Sequence, residues 1–220
     1  MEELIKYSEN HTTPEPAALA KLNRETHLTQ VYPQMLSGHL QGTFLRMVCL
    51  MIKPQRVLEI GTFTGYSAIA MALGMTPPSA SPQKGRGEKV LHTIEVNQEF
   101  EEGIRRYFKE AGLEDQIVLH IGEALEIIPA IDEVWDLVFI DADKPNYLNY
   151  YNMVFSRVCP GGFIIADNVL WDGKVVGDRA KMDKDTRGIV EFNEFVQQDE
   201  RVENLLLPIR DGLMLIRKID

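Results

Sequence analysis

Strand-like apolar runs and helix-like amphipathic stretches take turns along residues 56–166, and no other feature restricts the fold as tightly. Arg56-Val57-Leu58-Glu59-Ile60 reads as a strand that stops at Gly61. Val90 to Glu95, Ile117 to Ile121, Leu137 to Ile140 and Gly162 to Ala166 read as further strands. Between them, Tyr66 to Leu73 reads as a helix. Phe100, Ile104, Tyr107, Phe108 and Ala111 mark one face of a second helix that stops at Gly112. Ala124, Leu125, Ile128 and Ile131 stripe a third, and Tyr147, Tyr150, Tyr151, Val154 and Phe155 a fourth. A helix between two strands returns the chain to the same end of a sheet, so the strands pair in parallel. Nearly continuous apolar strands fit a sheet covered on both faces. The expectation is an α/β, doubly wound, mostly parallel sheet with helices on both faces.

The two ends of the chain depart from this rhythm. Residues 1–55 read as helices, with Pro14 or Pro16 able to open one and Leu40, Phe44, Leu45, Val48, Met51 and Ile52 at helical spacing. They are expected to form extra N-terminal helices that cover the main body. At the other end, Leu205 to Ile209 and Leu213 to Ile216 flank Arg210-Asp211-Gly212, a hairpin signal that closes the sheet with an antiparallel C-terminal edge. Thr76 to Gly87, rich in proline, glycine and serine, reads as an exposed loop. A length of 220 residues suits one domain, taken as 1–220.

Composition chiefly excludes. The formal net charge of −10 disfavours nucleic-acid backbones and anionic lipid, so neither nucleic acid nor membrane is expected as a partner. No apolar stretch approaches the ~20 residues that span a bilayer, and Met1-Glu2-Glu3-Leu4 has no signal-peptide character. The two cysteines, Cys49 and Cys159, are far apart and sit in apolar stretches, so buried free thiols in a reducing, cytoplasmic setting are expected.

In open α/β sheets, ligands bind beyond the carboxyl ends of the strands. The first strand runs into Gly61-Thr62-Phe63-Thr64-Gly65-Tyr66-Ser67, a glycine turn opening a helix. Phe63 stands where a dinucleotide fingerprint has its second glycine, which argues against NAD and FAD. Alone, the turn fits a tight strand-to-helix connection as well as a cofactor loop. Glu95, ending the second strand, adds weight, because a carboxylate there can accept hydrogen bonds from both hydroxyls of a ribose. Asp141 ends the fourth strand and Asp167-Asn168 the fifth. If those strands are neighbours, three oxygen-bearing side chains converge, a set suited to a hard divalent cation and unlike a zinc site. Taken separately, Asp141 also fits a helix N-cap and Asp167-Asn168 a turn.

From Val57 to Ser67, through Asp141-Ala142-Asp143-Lys144 and Gly161-Gly162, to Asp167-Asn168-Val169-Leu170-Trp171, the chain resembles the cation-dependent O-methyltransferases, the family of the caffeoyl-CoA and catechol enzymes and their bacterial relatives. The likeness spans roughly residues 30–220. It implies a Rossmann-like, seven-stranded sheet that binds S-adenosylmethionine. It implies that Glu59, Gly61, Thr62, Phe63, Gly65 and Ser67 line the methionine side, that Glu95 holds the ribose, and that Gly122, Glu123 and Ala124 lie near the adenine. Ser37 matches a hydroxyl-bearing position near the cofactor, and Asp141 borders both cofactor and metal. The family's metal ligands match Asp141, Asp167 and Asn168, with Mg²⁺ expected first and Mn²⁺ or Ca²⁺ as alternatives. Its catalytic base falls on Lys144, working with Asp141 and Asn168; repulsion from a nearby divalent cation favours the neutral amine that a base requires.

The activity so implied is methyl transfer from S-adenosylmethionine to a hydroxyl of a metal-chelating, catechol-like or caffeoyl-like aromatic. A metal-independent small-molecule methyltransferase and a non-catalytic S-adenosylmethionine-binding protein are the alternatives. The family often forms homodimers. Trp171 reads as an aromatic wall beside a planar substrate, and the charged run from Lys174 to Arg187 as a loop over the site. The chain departs from the family at the 76–88 loop and at His39 and Gln41, with His39 expected to pack or hydrogen-bond rather than catalyse.

Overall fold

A computed structural model describes residues 2–75 and 89–220. The segment read as a loop, 76–87, lies outside the described residues. Seven strands, β1 (Arg56–Ile60), β2 (Val90–Glu95), β3 (Ile117–Ile121), β4 (Trp135–Ile140), β5 (Val158–Asp167), β6 (Val202–Leu207) and β7 (Leu213–Lys218), form one sheet in the order β3-β2-β1-β4-β5-β7-β6. The pairs β2–β3, β1–β4 and β4–β5 are parallel, and β5–β7 and β6–β7 antiparallel. The mostly parallel sheet and its antiparallel C-terminal hairpin edge are as expected. Strand order reverses direction between β1 and β4, which makes their carboxyl ends the switch point where such sheets bind ligands.

Contacts divide the chain into two compact units, residues 1–55 with 62–121, and residues 56–61 with 122–220. The first holds α1 (Glu2–Asn10), α2 (Ala17–Thr29), α3 (Gly38–Ile52), α4 (Tyr66–Met75) and α5 (Glu101–Glu110) around β2 and β3. Pro16 immediately precedes α2. α3 lies close on α4 because Gly74 has no side chain; a Cβ there would stand 2.4 Å from the Arg46 carbonyl oxygen. His39 hydrogen-bonds the Thr13 carbonyl at 2.7 Å, in line with the packing role expected of it.

The second unit holds β1, β4, β5, β6 and β7 with α6 (Ala124–Ile127), α7 (Tyr147–Phe155) and α8 (Lys184–Gln198). Its largest fully buried side chains are Trp135, Tyr147, Tyr151, Phe139 and Phe192. β1 and β4 are buried along almost their whole length, as strands covered on both faces should be.

Three expectations need correction. The stripe from Ala124 to Ile131 is not one helix: α6 has four residues and gives way to a 3₁₀ turn at Ile128–Ala130. Pro129 supplies no N–H to continue the α-helical ladder. The charged run is not loop throughout, because its last residues form the first turn of α8. Asp183 caps that helix, accepting the Thr186 N–H at 2.8 Å, and Ile189, Val190, Phe192 and Val196 form its buried face. Lastly, Cys49 is buried but Cys159 is half-exposed, with its thiol 3.5 Å from Asp136 Oδ1.

Candidate active site

In the second unit, β4 and β5 pair in parallel with Ile140 opposite Ala166, so the residues that follow each strand emerge side by side. Asp141 is held to the end of β1 by its N–H, which donates to the Ile60 carbonyl at 2.8 Å. That contact explains Gly61. It adopts φ +100°, and a Cβ on it would lie 1.9 Å from the Asp141 carbonyl oxygen. The glycine therefore serves the approach of two backbones as well as any room for a ligand.

Lys144 lies in a 3₁₀ turn, Lys144–Asn146, and is buried. The extended residue of this turn is Asp143, at φ −68°, ψ 124°, one position earlier than Pro145 alone would suggest. The Lys144 ammonium donates to Asn168 Oδ1 at 2.9 Å and to Tyr147 Oη at 2.7 Å, and lies 3.3 Å from Asp141 Oδ1. Tyr147 in turn donates its hydroxyl proton to the Asp167 carbonyl at 3.0 Å. Asn168 adopts φ 57°, a left-handed backbone that asparagine tolerates better than most residues, and its N–H donates to Asp167 Oδ1 at 2.7 Å. Four residues expected to act together, the buried Lys144 and Asp167 and the half-buried Asp141 and Asn168, are thus linked through one network.

The network contains a residue that sequence reading placed only in a helix stripe. Tyr147 is fully buried, and burial, reinforced by the Asp141 and Asp167 charges, pushes its phenol well above its ordinary range. Its hydroxyl is held as a neutral link between the lysine and the β5 end. The signal for it was a tyrosine three residues after Lys144, at a spacing that brings both to one side of a turn. Asp143, one residue before Lys144, faces elsewhere. Its oxygens accept from Tyr150 Oη at 2.5 Å and Asn146 Nδ2 at 2.6 Å.

Asp141, Asp167 and Asn168 offer two carboxylates and an amide oxygen. Among the described residues, no three His, Cys, Asp or Glu side chains cluster so as to hold a metal; the candidate set takes its third oxygen from asparagine. Oxygens of Asp141 and Asn168 already converge on one positive group, so the chemistry of the set fits a hard cation. Trp171 presents its ring 5.5 Å from the Lys144 ammonium and 5.7 Å from that of Lys174. Glu59 is a fully buried carboxylate on β1. Gly122 has φ +138°, Glu123 is exposed and Ala124 buried at the start of α6.

The first unit contains the remaining expected positions. Glu95 is buried at the end of β2, and its Oε2 accepts the Phe63 N–H at 2.7 Å while Oε1 accepts the Asn97 N–H at 2.8 Å. Burial pushes this carboxyl above its ordinary range, and the backbone hydrogen bonds oppose that rise. The Thr62 and Val96 N–H groups also bear on this carboxylate, an acceptor-only group at a strand end of the kind that suits a vicinal diol. Phe63 has φ 51°. The position does demand a left-handed backbone, and here a phenylalanine rather than a glycine meets that demand, its ring edge-on to Phe100 at 5.3 Å. The Thr62 and Thr93 hydroxyls are 2.5 Å apart. Gly65, Ser67 and Ser37 complete this set, with both serines buried.

Comparison with known proteins identifies the family. The O-methyltransferase family profile matches residues 9–219. A caffeoyl-CoA O-methyltransferase of Populus trichocarpa is 35% identical over 216 residues, covering 93% of this chain and 83% of that one. One from Nicotiana tabacum is 34% identical, covering 93% and 85%. Among solved structures, the O-methyltransferase TomG of Streptomyces achromogenes, in complex with S-adenosylmethionine, superposes with a TM-score of 0.87 at 27% identity, covering 99% and 96%. A Bacillus cereus O-methyltransferase bound to S-adenosylhomocysteine gives 0.85 at 26%, covering 97% and 96%. A profile match along nearly the whole chain and relatives above 30% identity place this protein in the O-methyltransferase family.

Proposed function

We propose that the chain, acting as one domain, transfers a methyl group from S-adenosylmethionine to a hydroxyl of a small, metal-chelating diphenol of catechol or caffeoyl type. The observation that carries this reading is the buried Lys144 ammonium, ringed by Asn168, Tyr147 and Asp141 oxygens at 2.7–3.3 Å. Nζ of Lys144 would be the atom that takes the phenolic proton. Asp141, Asp167 and Asn168 would hold the divalent cation, Mg²⁺ first. When bound, it supplies Lewis-acid stabilisation of the deprotonated oxygen. Glu95 would hold the ribose diol. Glu59, buried on β1, would lie on the methionine side of the cofactor. Gly61, Thr62, Phe63, Gly65, Ser67 and Ser37 would line the methionine portion, and Gly122, Glu123 and Ala124 the adenine. Trp171 would stack on the acceptor ring. The protein's own contribution is positioning, worth ~7–11 kcal/mol in favourable cases.

A homodimer fits the exposed apolar residues Val31, Tyr32, Met35, Met47 and Met51. Among the described residues, no helix is long and apolar enough to cross a membrane. The net charge of −10 disfavours nucleic-acid and anionic-membrane partners, and the free thiols of Cys49 and Cys159 fit a reducing, cytoplasmic setting.

One observation favours a second reading. Lys144 already provides positive charge to Asp141 and Asn168, so a metal-independent transfer at the same site is physically reasonable. Calorimetric titration with S-adenosylmethionine, followed by methyl transfer to a catechol panel with Mg²⁺ or EDTA, separates the two. Transfer lost in EDTA and restored by Mg²⁺ supports the main reading. Transfer that survives chelation selects the second, and absence of cofactor binding rejects both.

A further inference from the structure

We propose that Asp211, in the turn between β6 and β7, is a positioning residue that holds Trp171 against Lys144. This rests on the active-site reading above only for its kinetic consequence.

Trp171, Asp172 and Gly173 adopt φ values of 46°, 52° and 74°. Two consecutive non-glycine residues in the left-handed region, one of them bulky, require an outside restraint. Trp171 does not provide it through its own polar atom, because its indole Nε1 is buried without a hydrogen-bond partner among the described residues. The ring's placement therefore depends on its backbone.

The restraint comes from the hairpin turn. The Asp172 N–H donates to Asp211 Oδ1 at 2.6 Å, the Leu170 N–H to the Asp211 carbonyl at 2.9 Å and the Val169 N–H to the Gly212 carbonyl at 3.2 Å. Gly212, at φ +89°, lets the two segments meet. A Cβ on it would stand 2.6 Å from Leu170 Cγ and 2.9 Å from the Leu170 nitrogen. Asp211 contributes both backbone and side chain to this seam, and its carboxylate reaches the strained run itself. An ionised acceptor strengthens such a bond.

The seam gives Asp211 a role in acceptor binding without contact with the acceptor. Losing its carboxylate frees Asp172 to leave the left-handed region, and Trp171 turns with it. Lys144, bound to Tyr147 and Asn168, stays in place. The effect should fall on the affinity for the aromatic acceptor rather than on turnover.

Three measurements on the intact protein test this. Hydrogen exchange of the Asp172 amide in the wild type should be protected; exchange at the free-peptide rate would overturn the proposal. Trp171 emission, taken as the difference between wild type and Trp171→Phe, should shift red and become more open to acrylamide in Asp211→Ala. Asp211→Asn keeps an acceptor oxygen and should return the signal to its wild-type form. An unchanged signal in the alanine variant, or an asparagine variant no better than alanine, would overturn the proposal. With a catechol acceptor, Asp211→Ala should raise KM about tenfold while kcat stays within about threefold, as expected for losing one charge-assisted hydrogen bond that acts on binding. A fall in kcat at unchanged KM also overturns it. Should Asp211→Ala fail to fold, exchange at Asp172 and the Asp211→Asn variant still decide. Should the wild type methylate no diphenol, the functional reading fails, while exchange and fluorescence still report on Asp211.

Discussion

The Glu95 end of β2 and the Asp141–Asn168 ends of β4 and β5 use opposite electrostatics. Around Glu95 the partners are neutral backbone N–H groups of Phe63 and Asn97, with those of Thr62 and Val96 beside them, and the carboxyl is pushed up by burial. Around Lys144 a full positive charge meets Asp141, with Asn168 and Tyr147 completing the shell. Neutral dipoles suit a ligand that must bind and then leave as product. A concentrated pair of opposite charges suits a site where charge has to form and move. Binding and chemistry are thus separable by substitution, and the contrast can be tested.

The largest effect is expected at the charged end. Lys144→Ala should lower kcat about 10²–10⁴-fold, the range for loss of a general base, while S-adenosylmethionine affinity measured by calorimetry stays nearly unchanged. A comparable loss of cofactor binding would break the separation. Next is Gly61→Ala, which places a methyl 1.9 Å from the Asp141 carbonyl. It should cost at least ~3 kcal/mol of stability by the magnitude of backbone strain and overpacking, read as a large drop in melting temperature. Tyr147→Phe removes two buried hydrogen bonds, one accepted from the Lys144 ammonium and one donated to the Asp167 carbonyl, and leaves the ring's edge-on packing on Phe192 at 5.6 Å. About a tenfold fall in kcat is expected, with a loss of ~1–3 kcal/mol of stability read as a lower melting temperature.

At the neutral end, Glu95→Gln should weaken cofactor binding roughly tenfold with kcat at saturation preserved. Its pH dependence has a definite sign. The folded-state pKa is raised, so any stability from the buried protonated form is present below about 4.5, the unfolded value, and fades as pH rises through the raised one. The smallest effect lies away from both ends. Asp199 accepts Arg201 on both oxygens, at 2.7 and 2.6 Å, and Tyr151 at 2.8 Å, and is held down to about 2. A lowered carboxylate contributes stability above its unfolded value of 3.8 that is lost as pH falls toward 2. Because Arg201 is half-exposed, solvent screening limits the contribution to ~1 kcal/mol. Asp199→Ala should lower melting temperature by a few degrees at pH 7 and by clearly less at pH 2.

The sheet was readable because buried parallel strands write themselves as unbroken apolar runs; β2 and β3 begin and end where the residues say they should. α8 was not, because its first turn is charged and its start depends on Asp183 capping Thr186, a local bond hidden inside a run of solvated residues. Of the site, Asp141, Asp167 and Asn168 were legible as strand-end polar residues, and Lys144 only through the family resemblance. Tyr147 was not, since an aromatic at helical spacing looks like core, and its hydroxyl gains meaning only when Lys144 is 2.7 Å away. Gly61 was assigned to the right place for half the reason. Its crowding by Asp141 involves residues eighty positions apart, which no local pattern encodes.

The antiparallel return of β7 has a further consequence. Leu213 pairs with Asp167, so the hairpin brings its turn back to the rim where β4 and β5 deliver their polar residues. A lineage can lengthen, shorten or recharge residues 208–212 without disturbing any helix crossover of the parallel sheet. New acceptor preferences could arise at that corner while the inherited chemistry is left intact, making the last hairpin a natural place for diversification and a practical one for library design.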